Sequence, residues 1–261
     1  MCDDMGTDQE IASLIEYNTA EFFLNLGFLN GDEVCNIPEI KYIFTKNWFN
    51  RIFMANFNES DVSAHVEQIV SRIKKLNISA SWYITPQSRP LNLQSLIKNY
   101  GFTYQEDWKA MAVDLENIPE NFNFPEGIEI KEVLNLDELE TWADVLVESF
   151  EFSKIVGSYK KYFIKAGLKD SNSHYYLGFL NGKAVTTGVL FDGKGAAGLF
   201  YIGTIPKARG QGIAKTMVNY LLSQAKSRGY LISILQASKM GYPVYKKIGF
   251  KKYYTTQIYR R

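Results

Sequence analysis

Between Gln211 and Arg228 an apolar side chain returns every fourth residue, at Ile213, Met217, Leu221 and Ala225, with Ala214, Val218 and Leu222 beside them. That spacing predicts a helix with one apolar face. Lys226 and Arg228 fall in its last turn, where cations suit the negative end of the helix dipole, and Gly229 is placed to end it. The apolar run from Ala196 to Ile205 predicts a strand before this helix. After it come a buried strand over Leu231 to Ser238, a short helix carrying Tyr245, and a last strand from Phe250 to Tyr259.

Upstream of these elements the pattern predicts a strand over Ile128 to Val133 and helices over Leu136 to Phe150 and Ser158 to Leu168. A meander follows, Tyr175 to Leu180, Lys183 to Phe191 and Ala196 to Ile205, joined at Asn181-Gly182 and Asp192-Gly193, dipeptides that favour tight turns. The first half of the chain carries a quieter version of part of this order. Val62, Val66, Ile69, Val70 and Ile73 mark a helix, Ile78 to Thr85 a strand, Leu91 to Tyr100 a helix and Trp108 to Leu115 a strand. Pro, Asn and Gly interrupt both periodicities from Asn117 to Gly127, which predicts two units, residues 1–122 and 123–261. The expected fold class is α/β in the α+β sense: a mixed, mostly antiparallel sheet flanked by helices, in two similar domains in tandem.

Composition adds bounds. With 261 residues, 46% of them apolar and 15% aromatic, the chain has ample material for a core. A net charge of +1 gives no basic footprint for nucleic acid. Cys2 and Cys35 form neither a disulfide framework nor a metal pair, and His65 and His174 read as surface or boundary residues, so no metal is expected. The chain has no apolar run of bilayer length, and Met1 to Met5 lacks a basic stretch followed by an apolar core, so a cytoplasmic protein without a membrane partner is expected. Oligomeric state leaves no mark on the sequence.

The chemistry concentrates in Arg209-Gly210-Gln211-Gly212-Ile213-Ala214, between a predicted strand and a predicted helix. Glycines let a backbone approach an anion closely, and the N–H groups that open a helix are unpaired and lie at the positive end of its dipole. Lys207, Arg209 and Lys215 add charge, so the segment reads as a pyrophosphate loop. It is not a dinucleotide fingerprint, which needs a small residue where Lys215 stands, nor a Walker loop ending in Lys215-Thr216, which needs glycines where Arg209 and Ala214 stand.

Downstream, Tyr245-Lys246-Lys247-Ile248-Gly249-Phe250 follows the buried strand. Together the two segments resemble the GNAT superfamily of N-acetyltransferases, whose loop has the form Gln/Arg-x-x-Gly-x-Gly/Ala and whose later helix ends in Tyr-x-x-x-Gly-Phe. Arg209, Gly212 and Ala214 match the first motif and Tyr245, Gly249 and Phe250 the second, within a resemblance that covers about Gly127 to Arg261. It implies acetyl transfer from acetyl-CoA to an amine of a small molecule or peptide by direct attack, without an acyl-enzyme. Backbone groups of Ile202, Gly203 and Thr204 would pair with the pantetheine arm, and the amides of Gly210, Gln211, Gly212, Ile213, Ala214 and Lys215 would receive the pyrophosphate. Ser238 stands where the family often has Asn and can make one hydrogen bond. Tyr245, a phenol with a reference pKa of about 10, would protonate the departing thiolate.

A general base is not legible. Ser233 stands where some relatives that acetylate proteins have Glu; Glu148, Glu151, Tyr259 and His174 are candidates. Two other readings stay open, an idle acyl-CoA-binding sensor and a scaffold that binds no CoA. In the first half Gly101-Phe102 follows a helix as Gly249-Phe250 does, but Ile97 stands where Tyr245 stands. Asn56 to Asp61, leading into that half's first helix, has no glycine and carries two acidic residues. Only the second half is therefore expected to bind CoA, with the first half and the residues around Phe150 to Tyr162 shaping the acceptor side.

Overall fold

The computed structural model describes residues 7–45, 50–119, 124–151 and 156–261; the expected boundary between 122 and 123, and Cys2, lie outside them. The first half contributes β1 (Glu33–Ile37), β2 (Ile40–Phe44), β3 (Arg51–Phe53), β4 (Ser81–Ile84) and β5 (Thr103–Asp114), with α1 (Asp8–Asn30), α2 (Val62–Leu76) and α3 (Leu93–Asn99). The second contributes β6 (Ile128–Glu132), β7 (Ser173–Leu180), β8 (Lys183–Asp192), β9 (Ala197–Thr204), β10 (Ile232–Ala237) and β11 (Lys251–Arg260). Its helices are α4 (Leu136–Ser149), α5 (Val156–Ala166), α6 (Ile213–Ser227) and α7 (Tyr242–Ile248).

Among the described residues all the strands join one 11-stranded sheet in the order β1-β2-β3-β4-β11-β5-β10-β9-β8-β7-β6. Pairing is antiparallel except between β3 and β4 and between β9 and β10. The order contains a reciprocal exchange. The last strand of each half crosses over, so β11 lies against β4 of the first half and β5 lies against β10 of the second. The longest register in the sheet is the one between the exchanged strands themselves, from Lys251↔Ala112 to Arg260↔Thr103.

Alternation along β5 shows how the two faces are covered, since successive side chains of a strand point to opposite sides. Met111 and Val113 pack with α6 and α7, through Met217, Leu221 and Tyr245, while Ala110 and Ala112 pack with Ile11 and Ile15 of α1. In the first half, α2 and α3 close the first of these faces over Trp82, Ile52 and Tyr259. The opposite face carries α1, α4 and α5, whose Phe22, Trp142 and Phe163 form one cluster with β7, β8 and β9.

Helix α1 ties the halves together. Thr7 and Glu10 form a capping box at its start, and Gly31, at φ 71°, closes its end. Along its length Asn18 donates to the Ala196 carbonyl at 2.9 Å, and Phe22 stacks on Phe200 with ring centroids 4.0 Å apart. Near its other end Gly27 packs so closely on Ile43 of β2 that a Cβ there would collide with it.

Candidate active site

Strands β9 and β10 pair only at Ser233↔Ala197 and Ile234↔Gly198, so the edge of β9 from Leu199 to Thr204 that faces β10 is open. Buried Ser233 sits at the closed end of this fork, where its hydroxyl donates to the Ala197 carbonyl at 3.0 Å. On its other edge β9 is held firmly. The Thr186 and Thr187 hydroxyls donate to the carbonyls of Gly203 at 2.6 Å and Tyr201 at 2.8 Å. The ladder slips between Thr187↔Gly203 and Val189↔Phe200, a bulge in which Tyr201 takes φ 48°. Gly203 lies where α4 ends against the strand: a Cβ there would meet Ser149 Cβ at 2.7 Å and a Phe150 ring carbon at 2.8 Å.

The loop after β9 makes a single 3-10 turn over Pro206–Ala208 and enters α6 through Gly210 and Gly212, both at φ 78°. Gly212 is the cap residue, and the first helical bond runs from Thr216 N–H to its carbonyl at 3.0 Å. With no side chain at the cap, the first-turn amides of α6 have no partner within the helix and face outward. A Cβ at Gly210 or Gly212 would meet nothing within 4 Å, so backbone conformation, rather than crowding, favours glycine there. Arg209 is spent on the protein itself. Its guanidinium donates to the carbonyls of Thr204 at 3.1 Å and Ser149 at 2.8 Å, and it lies 3.5 Å from the Glu151 carboxylate. It fastens the loop to the end of α4, leaving Lys215 and the amides as the charge turned to the cleft.

Across the fork, the Ser238 hydroxyl accepts the Gly241 N–H at 3.2 Å and so starts the turn into α7. Gly241 makes room for Tyr245, whose Cε2 would lie 2.7 Å from a Cβ at that position. The Tyr245 ring is buried edge-on against Phe250, with centroids 5.9 Å apart. Burial pushes its phenol well above the ordinary value, so the hydroxyl is neutral and able to donate throughout the neutral range.

These parts line one cleft of about 1040 Å³. Ile202, Gly203, Thr204, Arg209, Gly210, Gly212, Ile213, Ala214, Lys215, Ser238 and Tyr245 all border it, whereas Gln211 points to solvent and does not. Of the candidate bases, Glu151 is exposed and sits on Arg209, Glu148 is exposed away from the cleft, Tyr259 belongs to the core under α2 and α3, and Ser233 is pinned as described. His174 is held between Glu132 at 3.0 Å and Asp192 at 2.9 Å, beside Arg228, outside the cleft. The far end of the cleft is built from residues the sequence does not single out: Arg51, Tyr83, Glu106, Trp108 and Arg260. They come from β3, β4, β5 and β11, and only the strand exchange brings them there.

A family model described as the acetyltransferase (GNAT) family matches residues 136–250. Over residues 136–250 the chain is similar to a GNAT acetyltransferase domain. This GNAT match stops at Phe250, so β11 lies beyond it, and the strand that pairs with β10 comes from before it. Solved structures extend the likeness to nearly the whole chain. A GCN5-related N-acetyltransferase from Kribbella flavida is 16% identical over 94% of each chain, with a TM-score of 0.71. A functionally unknown conserved protein from Staphylococcus epidermidis is 10% identical, covering 88% of this chain and 94% of its own, with a TM-score of 0.68. A tandem GNAT protein from the clavulanic acid biosynthesis pathway is 10% identical, covering 85% of this chain and 78% of its own, with a TM-score of 0.62. At such identities the likeness is one of fold, and it includes the tandem arrangement. No curated protein matches the chain in sequence. Among the described residues no helix is long and apolar enough to cross a membrane, and no group of three His, Cys, Asp or Glu could hold a metal ion.

Proposed function

We propose that the chain is an N-acetyltransferase that carries an acetyl group from acetyl-CoA directly to a primary amine. In this reading the second half binds the co-substrate, and the first half, with no loop of that kind, completes the acceptor side. The observation that carries it is the convergence, in one cleft, of the open β9 edge, the uncapped α6 amides and the neutral Tyr245 hydroxyl. An extended pantetheine arm pairs with the backbone of Ile202 to Thr204, and its pyrophosphate meets the amides from Gly210 to Lys215 and the Lys215 ammonium. The amine nitrogen attacks the thioester carbon, the C–S bond breaks, and Tyr245 protonates the thiolate. The proton leaving the amine goes to Glu106, the cleft carboxylate that is not engaged by Arg209.

Calorimetric titration with acetyl-CoA, beside the Gly212→Glu variant, tests this reading. Binding with a Kd of roughly micromolar order, lost when bulk and negative charge enter the cap position, is the expected outcome. A native protein that does not bind acetyl-CoA overturns it in favour of a scaffold. Binding without turnover of any amine identifies an idle sensor.

A further inference from the structure

The far end of the cleft has a polar floor on one sheet face. Across the ladders Tyr83 faces Ile258, which faces Glu106; Ser81 pairs with both Arg51 and Arg260; and Thr256 pairs with Trp108. Side chains in register on neighbouring strands share a face. Arg51, Tyr83, Arg260, Glu106 and Trp108 therefore project together, opposite the face sealed by α2 and α3.

Arg51 is held in a fixed pose. Its guanidinium lies 4.1 Å from the centroid of the Phe23 ring of α1, and its Nε donates to the Tyr83 hydroxyl at 3.0 Å. An arginine stacked on an aromatic ring keeps a planar, preorganised fork that matches a carboxylate. Close by, two polar groups that border the cleft, the Tyr201 hydroxyl and Trp108 Nε1, are buried with no hydrogen-bond partner among the described residues. Buried polar atoms gain from a hydrogen-bond partner, and at the wall of a cleft these two are placed to bond a polar group that enters it. Arg260, anchored by its Nε to the Ser81 hydroxyl at 3.3 Å, adds a second positive charge, and Glu106 supplies one negative charge on the strand next to β10.

We infer that the acceptor is a small zwitterionic amine of the amino-acid type, whose carboxylate is bound by Arg51 while its ammonium faces Glu106. The inference rests on the acetyltransferase reading above. Charges of both signs on one floor suit a molecule carrying both, and a single planar carboxylate suits the guanidinium fork better than a phosphate dianion set beside Glu106. A lysine of a folded protein would bring the ammonium without the carboxylate.

Steady-state kinetics on a panel of free L-amino acids and short ω-amino acids, each beside its decarboxylated amine and its carboxamide, tests the inference. The carboxylates are expected to exceed their neutral partners in kcat/KM by about ten- to hundredfold. Arg51→Met removes that preference through KM, and Arg51→Lys, which keeps the charge without the fork, restores only part of it. Equal rates on charged and neutral partners, a preference for lysine peptides, or a preference that survives in Arg51→Met overturns the proposal. The two readings fail separately. Loss of acetyl-CoA binding removes the transferase, whereas thermal denaturation of native protein and Arg51→Met with the same panel still decides whether carboxylated amines occupy this floor. Stabilisation by the carboxylates in the native protein alone is expected, and no stabilisation by any of them refutes it.

Discussion

Tyr245 and Ile97 hold equivalent places in the two halves: the Phe250 N–H closes onto the Tyr245 carbonyl at 3.1 Å, and the Phe102 N–H onto the Ile97 carbonyl at 3.2 Å. The glycine between helix and phenylalanine takes a positive φ in both, 121° at Gly249 and 88° at Gly101. The same turn thus starts from a phenol bordering the cleft in one half and from a sec-butyl core group in the other.

Tyr245→Phe is expected to lower kcat by about a hundredfold, the usual scale for losing a positioned acid. Because burial raises the phenol, the native enzyme should show no basic limb from Tyr245 near pH 10, and the variant should be slower across the whole range. A rate–pH profile with a limb near the ordinary phenol value that vanishes in the variant would contradict this.

Glu106→Gln is expected to reduce kcat by roughly tenfold or more while leaving acetyl-CoA affinity unchanged, since the residue borders the far end of the cleft, beside Trp108 and Arg260. Calorimetry and turnover measured on the same preparation separate the two effects. Equal losses in both would place Glu106 in the support of the fold.

Replacing Arg209 by Met should cost about 1–3 kcal/mol, because two carbonyls, of Thr204 and Ser149, lose a charged donor. Glu151→Gln should cost less than about 0.5 kcal/mol, since that pair is exposed and 3.5 Å long. Urea unfolding of the two variants checks the difference, and the Arg209 variant should also bind acetyl-CoA more weakly.

Burial raises the Glu16 carboxyl above its ordinary range, with the Thr85 hydroxyl bond at 2.8 Å pulling the other way. Between its unfolded and folded pKa the native state binds more protons than the unfolded one, so this group's contribution to stability falls as pH rises through that interval. Glu16→Gln keeps an acceptor for Thr85 and removes the titration. Its Tm should exceed the native value near neutral pH, with the gap closing toward the ordinary carboxylate pKa of 4.5. A gap that widens on acidification contradicts the assignment.

The exchange of β5 and β11 predicts one cooperative unfolding transition for the whole chain. Near-ultraviolet circular dichroism and acetyl-CoA binding should be lost together. Residues 124–261 expressed alone should not hold a native fold, because the β10 edge that takes β5 would be bare and Tyr254 and Ile258 would lose their partners.

Much of the fold is legible because the second half obeys local rules. The four-residue spacing from Ile213 to Ala225 gives α6, the Asn181-Gly182 turn gives the β7–β8 hairpin, and the tandem arrangement follows from the repeated order of elements. Helix α1 is not legible, because it is buried on nearly every side, with Glu16, Asn18 and Thr19 facing inward, and so lacks the one-sided stripe by which a surface helix declares itself. Strands β1, β2 and β3 are too short and mixed in burial to stand out. The turn into α6 can be read from glycine spacing, since the positive φ at Gly210 and Gly212 is a backbone property that glycine adopts most readily. Arg51, Glu106 and Arg260 cannot, because they meet only through pairings between strands far apart in the chain, and no local period encodes those.

A second copy of a fold inside one chain is ordinarily free to decay or be discarded once the first copy does the work. Here the first half supplies the strand that lies against β10, and takes its own neighbour for β4 from the other. Deleting it would remove a strand from the half that carries Tyr245, so the two must be inherited, recombined and expressed as one piece.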